Sequence, residues 1–472
     1  MKKQRIVFVY GDFNILHPGH LRLLKFAKES GDYLIVGVNS DKLSLNKGIS
    51  EKVRLESINA TSYVNESFIL TQSPLEYIEQ NKPDIVVKGK EHENKENQEL
   101  EIINSYGGTL LFSSGEIGFS SFDLLKQEFF SKNNIQHFNE YLNRHNINFN
   151  NLSNIINKFS NLNVLVIGDT IVDEYITCEP LGMSQEDPTI VVSPLIHNKF
   201  IGGAAVVASH ARTLGANVKF ISVVGNDENN HYVADGLKTL NIDVTLFTDA
   251  TRPTTLKQRF RAKDKTLLRV NHLKQHSISK EIQNKILKNI KRDIENVDLI
   301  IFSDFSYGVL PNTLIDKISN IGKANDILMV ADSQSSSQIG DISKFKKMTL
   351  VTPTEREIRL ALNDFESGLV VLSEKLTSKT SSKYVFTTLG SEGLMIYNSL
   401  HNQLLTDNIV SLASSVKDVS GAGDSLLTCS SMALSVGATI WESAYLGSMA
   451  SAIQVSRVGN IPIKKDELLN EL

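Results

Sequence analysis

Short apolar runs rich in branched and aromatic residues alternate with longer helix-patterned runs twice along this 472-residue chain, and an asparagine-dense stretch divides the two series. In the first series, residues 6–10 read as a buried strand. Residues 20–28 read as a helix with Leu21, Leu24 and Ala27 on one face, and residues 33–38 as a second strand. Residues 85–87 and 109–112 read as two more. Alternation of this kind builds a parallel sheet with helices on both faces. Ligands of such sheets bind beyond the carboxyl ends of the strands, where strand order reverses. The second series starts at residues 164–167 and continues through 218–223, 299–302, 327–331, 349–352, 384–387 and 394–397. Residues 190–193 and 255–260 read as strands outside that rhythm, a small flanking sheet or lid. The fold class expected is α/β throughout, in two domains: 1–130 and 161–472, with a connector at 131–160 carrying one or two short helices.

Composition narrows the function. A hydrophobic content of 41% supports a packed core in each domain, and a net charge of −4 supplies no basic field for nucleic acid. The two cysteines, Cys178 and Cys429, make neither a disulfide framework nor a zinc-type spacing, which fits a reducing cytoplasm. The opening Met-Lys-Lys-Gln-Arg precedes too short an apolar run for a secretory leader, and no run is long enough to span a bilayer. A cytoplasmic protein without a membrane partner is expected.

Two glycine-bearing strand-to-helix junctions carry the chemistry. The first reads Gly11-Asp12-Phe13-Asn14-Ile15-Leu16-His17-Pro18-Gly19-His20. Its two imidazoles, His17 and His20, fall near a helix N-terminus, where backbone N–H groups and the helix dipole favour anions. Histidines there can hydrogen-bond a triphosphate and the charge that builds up during transfer. The second reads Asp418-Val419-Ser420-Gly421-Ala422-Gly423-Asp424 ahead of a helical run. Gly421, Ala422 and Gly423 expose backbone N–H groups able to cradle a phosphoryl group in transit. Asp424 is placed to take the proton of an attacking hydroxyl.

The first junction resembles the cytidylyltransferase-like nucleotidyltransferases, with a Rossmann-like domain over about residues 5–125. Their motif runs Gly-x-Phe-Asp-x-x-His-x-Gly-His, and the similarity continues in Val38-Asn39-Ser40-Asp41, Val87-Lys88-Gly89 and Gly118-Phe119-Ser120-Ser121. The resemblance implies nucleotide binding by Phe13, Lys88, Ser120 and Ser121, and by Lys47 as the basic residue after the second strand. Arg54 falls at the family's Glu-Arg arginine. Asn14 stands where the family has aspartate, Val53 where it has glutamate, and Asp123 where a basic or amide residue is usual.

From about residue 164 onward the chain resembles the ribokinase-like (PfkB) sugar kinases, with a small β lid. The residues concerned are Gly168–Asp173, Gly202-Gly203-Ala204-Ala205, the strand-end acid Asp304, Thr352-Pro353-Thr354-Glu355-Arg356-Glu357 and Thr388–Gly393. This implies sugar gripping by Asp173 with Gly202 and Gly203, a metal near Glu357, and nucleotide binding by Thr388, Gly390 and Gly393. Ser184–Pro188 and Pro253–Arg259 are further similar to the bifunctional heptose-7-phosphate kinase/heptose-1-phosphate adenylyltransferases, which place their kinase first. That likeness makes Lys257, Arg259 and Arg269 candidates for a sugar phosphate. Val206, Asn271, Gln334 and Thr354 replace an asparagine, an aspartate, a lysine and an asparagine of the pattern.

The resemblances together imply ATP and Mg2+, a sugar phosphate made into a sugar 1-phosphate and then an ADP-sugar, and a homodimer formed through the lid. Two alternatives stay open: an N-terminal nucleotide-binding module without chemistry, and a CTP-using polyol-phosphate cytidylyltransferase fused to the kinase.

Overall fold

A computed structural model describes residues 4–14, 16, 18–44, 49–89, 97–112, 140–262, 265–335, 340–400 and 406–472. The chain divides into two compact units, residues 1–137 with 362–375 and residues 138–361 with 376–472.

In the first unit, β1 (Ile6–Gly11), β2 (Tyr33–Asn39), β3 (Glu66–Leu70), β4 (Ile85–Lys88) and β5 (Thr109–Phe112) form one sheet in the order β3-β2-β1-β4-β5. Every pairing is parallel. Alternation along β1 explains the two-sided core. Val7 and Val9 pack with Leu23, Leu24 and Ala27 of the helix Pro18–Ser30 on one face. Phe8 packs with Ile78 and Ile103 on the other. Leu21, expected on the buried face, is exposed; Leu23 takes its place. Pro18 opens the helix, where a missing N–H costs nothing. The strand β3 escapes the apolar pattern because it is an edge strand that begins Glu66-Ser67. Strand order reverses at β1, so the crevice beyond β1 and β4 is this unit's natural ligand position.

The second unit holds β6 (Asn163–Gly168), β7 (Thr170–Met183), β8 (Ile190–Gly203), β9 (Asn217–Val224), β10 (Asp243–Thr248), β11 (Thr255–Ala262) and β12 (Lys265–His272). It continues with β13 (Leu299–Asp304), β14 (Leu328–Ser333), β15 (Leu350–Val351), β16 (Tyr384–Thr388), β17 (Leu394–Asn398) and β18 (Thr406–Ile409). Among the described residues a nine-stranded sheet runs β10-β9-β6-β13-β14-β15-β16-β17-β18. It is parallel from β10 to β16, and its last two pairings are antiparallel. A separate four-stranded sheet, β12-β11-β7-β8, is the lid. The strand β7 leaves the end of β6 and β8 returns directly into the helix Ala204–Thr213, so the lid is rooted in the main sheet at both ends.

The asparagine-dense stretch behaves differently from a bare connector. Asn148 caps the helix Phe149–Lys158 by accepting from the N–H of Asn150 at 2.8 Å. Leu152, Ile155 and Ile156 then present one buried face. With Tyr141, Leu142 and Phe159 they join the core that holds Val164 and Val166. Burial of each such aliphatic side chain is worth about 1.5–3 kcal/mol, so residues from about 141 are integral to the second unit. No helix among the described residues is long and apolar enough to cross a membrane.

Candidate active site

A cavity of about 530 Å³ opens in the second unit, lined by the lid strands, the carboxyl ends of β14 to β16 and the start of the helix Ala422–Ser435. Gly421, Ala422, Gly423 and Asp424 all face it. Gly421 adopts φ 77, a left-handed conformation that caps the helix and that L side chains rarely take. The first-turn N–H groups of a helix lack intrahelical acceptors, so this end is able to receive an anion.

Asp424 is buried and accepts a 3.1 Å hydrogen bond from Gln334 Nε2 at Oδ1. Burial, with Asp173 adding like charge, pushes its carboxyl up to about 7; Lys257 and the Gln334 amide work against that rise. Asp173 is raised too, chiefly by burial, with Arg259 and Lys257 opposing. Two carboxyls and two cations therefore share one poorly solvated space.

The lid supplies the cations by strand geometry. Lys257 and Arg259 alternate along β11 opposite Asp173 and Tyr175 of β7, so all four share a face. The Lys257 ammonium lies 5.2 Å from the Phe305 ring centroid and 5.3 Å from that of Tyr307. Arg259 stacks on Tyr175 at 4.8 Å and lies 3.3 Å from Asp173 Oδ1. Arg269 pairs across strands with Arg259 on that same face, but it is exposed and outside the cavity lining. Gly203, Thr388, Gly390 and Gly393 line the cavity as well. Gly202 is required sterically, since a Cβ there would fall 2.4 Å from Asp173 Oδ2.

Glu357 lines the cavity with both oxygens already engaged, one by the Ser335 N–H at 2.6 Å and one by the Thr354 N–H at 2.8 Å. Thr354 answers by accepting from the Glu357 N–H at 3.2 Å. This reciprocal cap explains why a hydroxyl residue serves at 354. Asp304 lies apart, held at Oδ2 by Ser333, Ser306 and Lys344. Asp169 receives the N–H groups of Phe305, Tyr307 and Val309 and so shapes the loop after β13.

Two cavity residues went unread in the sequence. Asp332, at the end of β14, has its carboxyl well above the usual range through burial and the charges of Glu357 and Asp424. A strand-end acid was the available signal. Asn460 follows the helix Ile440–Val455 in a loop with no recognisable pattern, yet it donates to Asp173 Oδ2 at 3.1 Å.

In the first unit His17, Lys47, Ser120 and Ser121 lie outside the described residues. Phe13 is buried with φ 48, and its ring meets the His20 ring edge-on at 5.2 Å. Such a φ is rare for an aromatic residue and fixes how the loop after β1 leaves the sheet. Arg54 is fully buried, donating to Asp12 O, Ile49 O and the Asp41 carboxylate. It ties the loops after β1 and β2 together. Lys88 reaches Glu99 and Asn97, each at 2.9 Å, and Glu99 also takes the Tyr10 hydroxyl. Burial works to raise the Glu99 carboxyl, but those donors outweigh it and hold Glu99 below its ordinary value.

The comparisons with known proteins agree with this division of labour. The pfkB family carbohydrate kinase profile matches residues 161–466, and the Cytidylyltransferase-like profile matches residues 8–106. The Bifunctional protein HldE of Helicobacter hepaticus is 32% identical over 312 residues, covering 65% of this chain and 63% of that protein. The Desulfatibacillum aliphaticivorans protein of the same name is 29% identical, covering 67% and 64%. The chain thus spans a little under two thirds of the length of these relatives. Phosphofructokinase-2 from Escherichia coli shares the fold over 66% of this chain and 97% of its own, with a TM-score of 0.53 at 15% identity. Ribokinase from Thermotoga maritima does so over 66% and 100%, with a TM-score of 0.51 at 18% identity. The chain belongs to the pfkB family of carbohydrate kinases and carries a cytidylyltransferase-like segment ahead of its kinase segment.

Proposed function

We propose that the second unit transfers the γ-phosphoryl group of ATP to the anomeric hydroxyl of a sugar phosphate, with heptose 7-phosphate as the first candidate. The first unit then joins the resulting sugar 1-phosphate to a nucleotide, giving an ADP-sugar with release of pyrophosphate. The observation that carries the kinase reading is Asp424, poised near neutrality at the mouth of the Gly421-Ala422-Gly423 cradle and in one cavity with Asp173 and Lys257. As ionised carboxylate, Asp424 takes the proton of the hydroxyl while its oxygen bonds to the phosphorus and the bond to ADP breaks. The first-turn N–H groups hold the charge that spreads over the phosphoryl oxygens. Asp173 orients the sugar, and Lys257 and Arg259 meet the phosphate already on it.

Mg2+ fits this donor set. Burial, with the neighbouring charges of Glu357 and Asp424, holds the Asp332 carboxyl well above the usual carboxylate range, and a divalent cation relieves that crowding of carboxylates. Glu357 and Asp332 would hold the ion together with ATP phosphates, and its chemistry is to neutralise those phosphates during transfer.

Heptose 7-phosphate against the unphosphorylated heptose tests the substrate class. ADP release should favour the phosphate ester, and Lys257→Ala should erase most of that preference, about 10- to 100-fold in kcat/KM. Equal turnover of both sugars by the unaltered protein would remove the sugar-phosphate assignment. Gln334 gives a second handle. Replacing its amide by an ammonium, Gln334→Lys, places a cation beside Asp424 and favours its ionised form. The acid limb of the kcat/KM–pH profile should move to lower pH, and a move upward would contradict the assignment of that limb to Asp424.

A second reading of the first unit has one observation in its favour. The Lys88 ammonium is spent on Glu99 and Asn97, which suits a unit that binds nucleotide without transferring it. Pyrophosphate release decides between the two, and a comparison of ATP with CTP identifies the base.

We propose further that two copies associate through the lid. Leu181, Leu195, Ile196 and Leu268 of the lid strands stand exposed, a costly arrangement for an isolated chain. Leu195→Glu is expected to halve the mass measured by light scattering. An unaltered protein that is already monomeric would rule the association out.

A further inference from the structure

We propose that Asn460 sets sugar specificity in the kinase cavity: one end of its carboxamide holds Asp173 and the other accepts a hydroxyl of the sugar. The inference rests on the kinase reading above and adds a residue to it.

The placement is specific. Asn460 is 8% exposed and lines the cavity. Its Nδ2 donates to Asp173 Oδ2 at 3.1 Å, and its Oδ1 is buried without a hydrogen-bond partner. A buried acceptor left unmade is costly, so a ligand donor belongs there. The carboxamide sits between two glycines that leave room for it. A Cβ on Gly202 would fall 3.1 Å from Asn460 Nδ2, and one on Gly421 would fall 2.8 Å from Asn460 Oδ1. Its acceptor therefore lies between the residues that face the sugar and the cradle that faces the transferred phosphoryl group.

The loop carrying Asn460 is fixed from both sides. Gln454 Nε2 donates to Gly459 O at 2.9 Å and to Ser420 O at 3.2 Å. The Gly459 N–H donates to Asp418 Oδ2 at 3.0 Å, and the same oxygen takes the Tyr175 hydroxyl at 2.7 Å. A carboxamide so held loses little freedom when it binds. Val206, by contrast, is buried and apolar where the sugar-kinase pattern carries an asparagine. Asn460 brings an amide to the cavity from the loop after the helix Ile440–Val455. Because its Nδ2 is bonded to Asp173, the two side chains offer neighbouring acceptors, which matches two adjacent hydroxyls of a sugar ring.

The test begins with a panel of heptose 7-phosphate, mannose 6-phosphate, fructose 6-phosphate and ribose, each with ATP and Mg2+. The best substrate is then compared with its ring-deoxy analogues in the unaltered protein and in Asn460→Ala. The unaltered protein should reject one analogue by about 10- to 100-fold in kcat/KM, the range for a buried polar group left unpaired. Asn460→Ala should lose a similar factor on the full sugar and nothing more on that analogue. Binding of a non-hydrolysable ATP analogue should be unchanged in the variant. If that binding is lost, Asn460→Ser replaces Asn460→Ala in the same comparison. Equal losses on the full and deoxy sugars, or no loss on either, overturn the inference while leaving the kinase reading intact. No ADP from any sugar of the panel overturns both.

Discussion

Asp424→Asn is expected to slow sugar phosphorylation by about 10²–10⁴-fold, the usual contribution of a positioned general base. The substitution keeps the shape of the side chain and its partner Gln334 but removes the carboxylate charge that would accept the hydroxyl proton. The pH dependence gives an independent sign. Burial and the charge of Asp173 raise the Asp424 carboxyl to about 7. Below that value it is protonated and cannot act as base, so kcat/KM should fall about tenfold per pH unit on the acid side and level off above it. In Asp424→Asn that limb should vanish and leave a flat, low profile. Retention of a limb near neutrality in the variant would assign the titration to another group. Initial rates of ADP release from pH 5 to 9 provide the measurement.

His20→Ala is expected to have the converse effect. His20 lies in the first turn of the helix Pro18–Ser30, beside the loop whose course Phe13 sets. An imidazole at a helix N-terminus stabilises charge that grows on a phosphate during transfer, and removing such a donor costs about 10²–10³ in rate. Pyrophosphate release should fall by that factor while ADP release from the kinase stays unchanged. Combined with Asp424→Asn, the pair separates the two activities. Loss of ADP release in His20→Ala, or loss of pyrophosphate release in Asp424→Asn supplied directly with the sugar 1-phosphate, would mean the site assignments are wrong. Full pyrophosphate release in His20→Ala would favour a first unit that holds nucleotide without transferring it.

What could be read in the sequence follows from how each residue does its work. Strands buried on both faces, such as β1 and β13, announce themselves as unbroken apolar runs, because a parallel sheet leaves them no polar side. The edge strand β3 and the long lid strand β7 carry mixed residues and did not. The helix start at Gly421-Ala422-Gly423 was legible because a left-handed turn into a helix favours glycine and small residues. Side chains that matter through a tertiary contact were not. Asn460 gains its meaning from Asp173, 287 residues away in sequence. Glu99 gains its meaning from Tyr10 and Lys88. The helix Phe149–Lys158 illustrates the same limit for folding. Its asparagines suggest a solvated connector, while the spacing of Leu152, Ile155 and Ile156 buries one face in the core.

The most direct test of the two-step account is phosphorus NMR of the purified protein with ATP, Mg2+ and heptose 7-phosphate. The account predicts a new anomeric phosphate signal that appears with ADP and is then replaced by the paired signals of a sugar nucleotide diphosphate as pyrophosphate accumulates. Loss of ATP with only inorganic phosphate formed, and the heptose 7-phosphate signal unchanged, would contradict it.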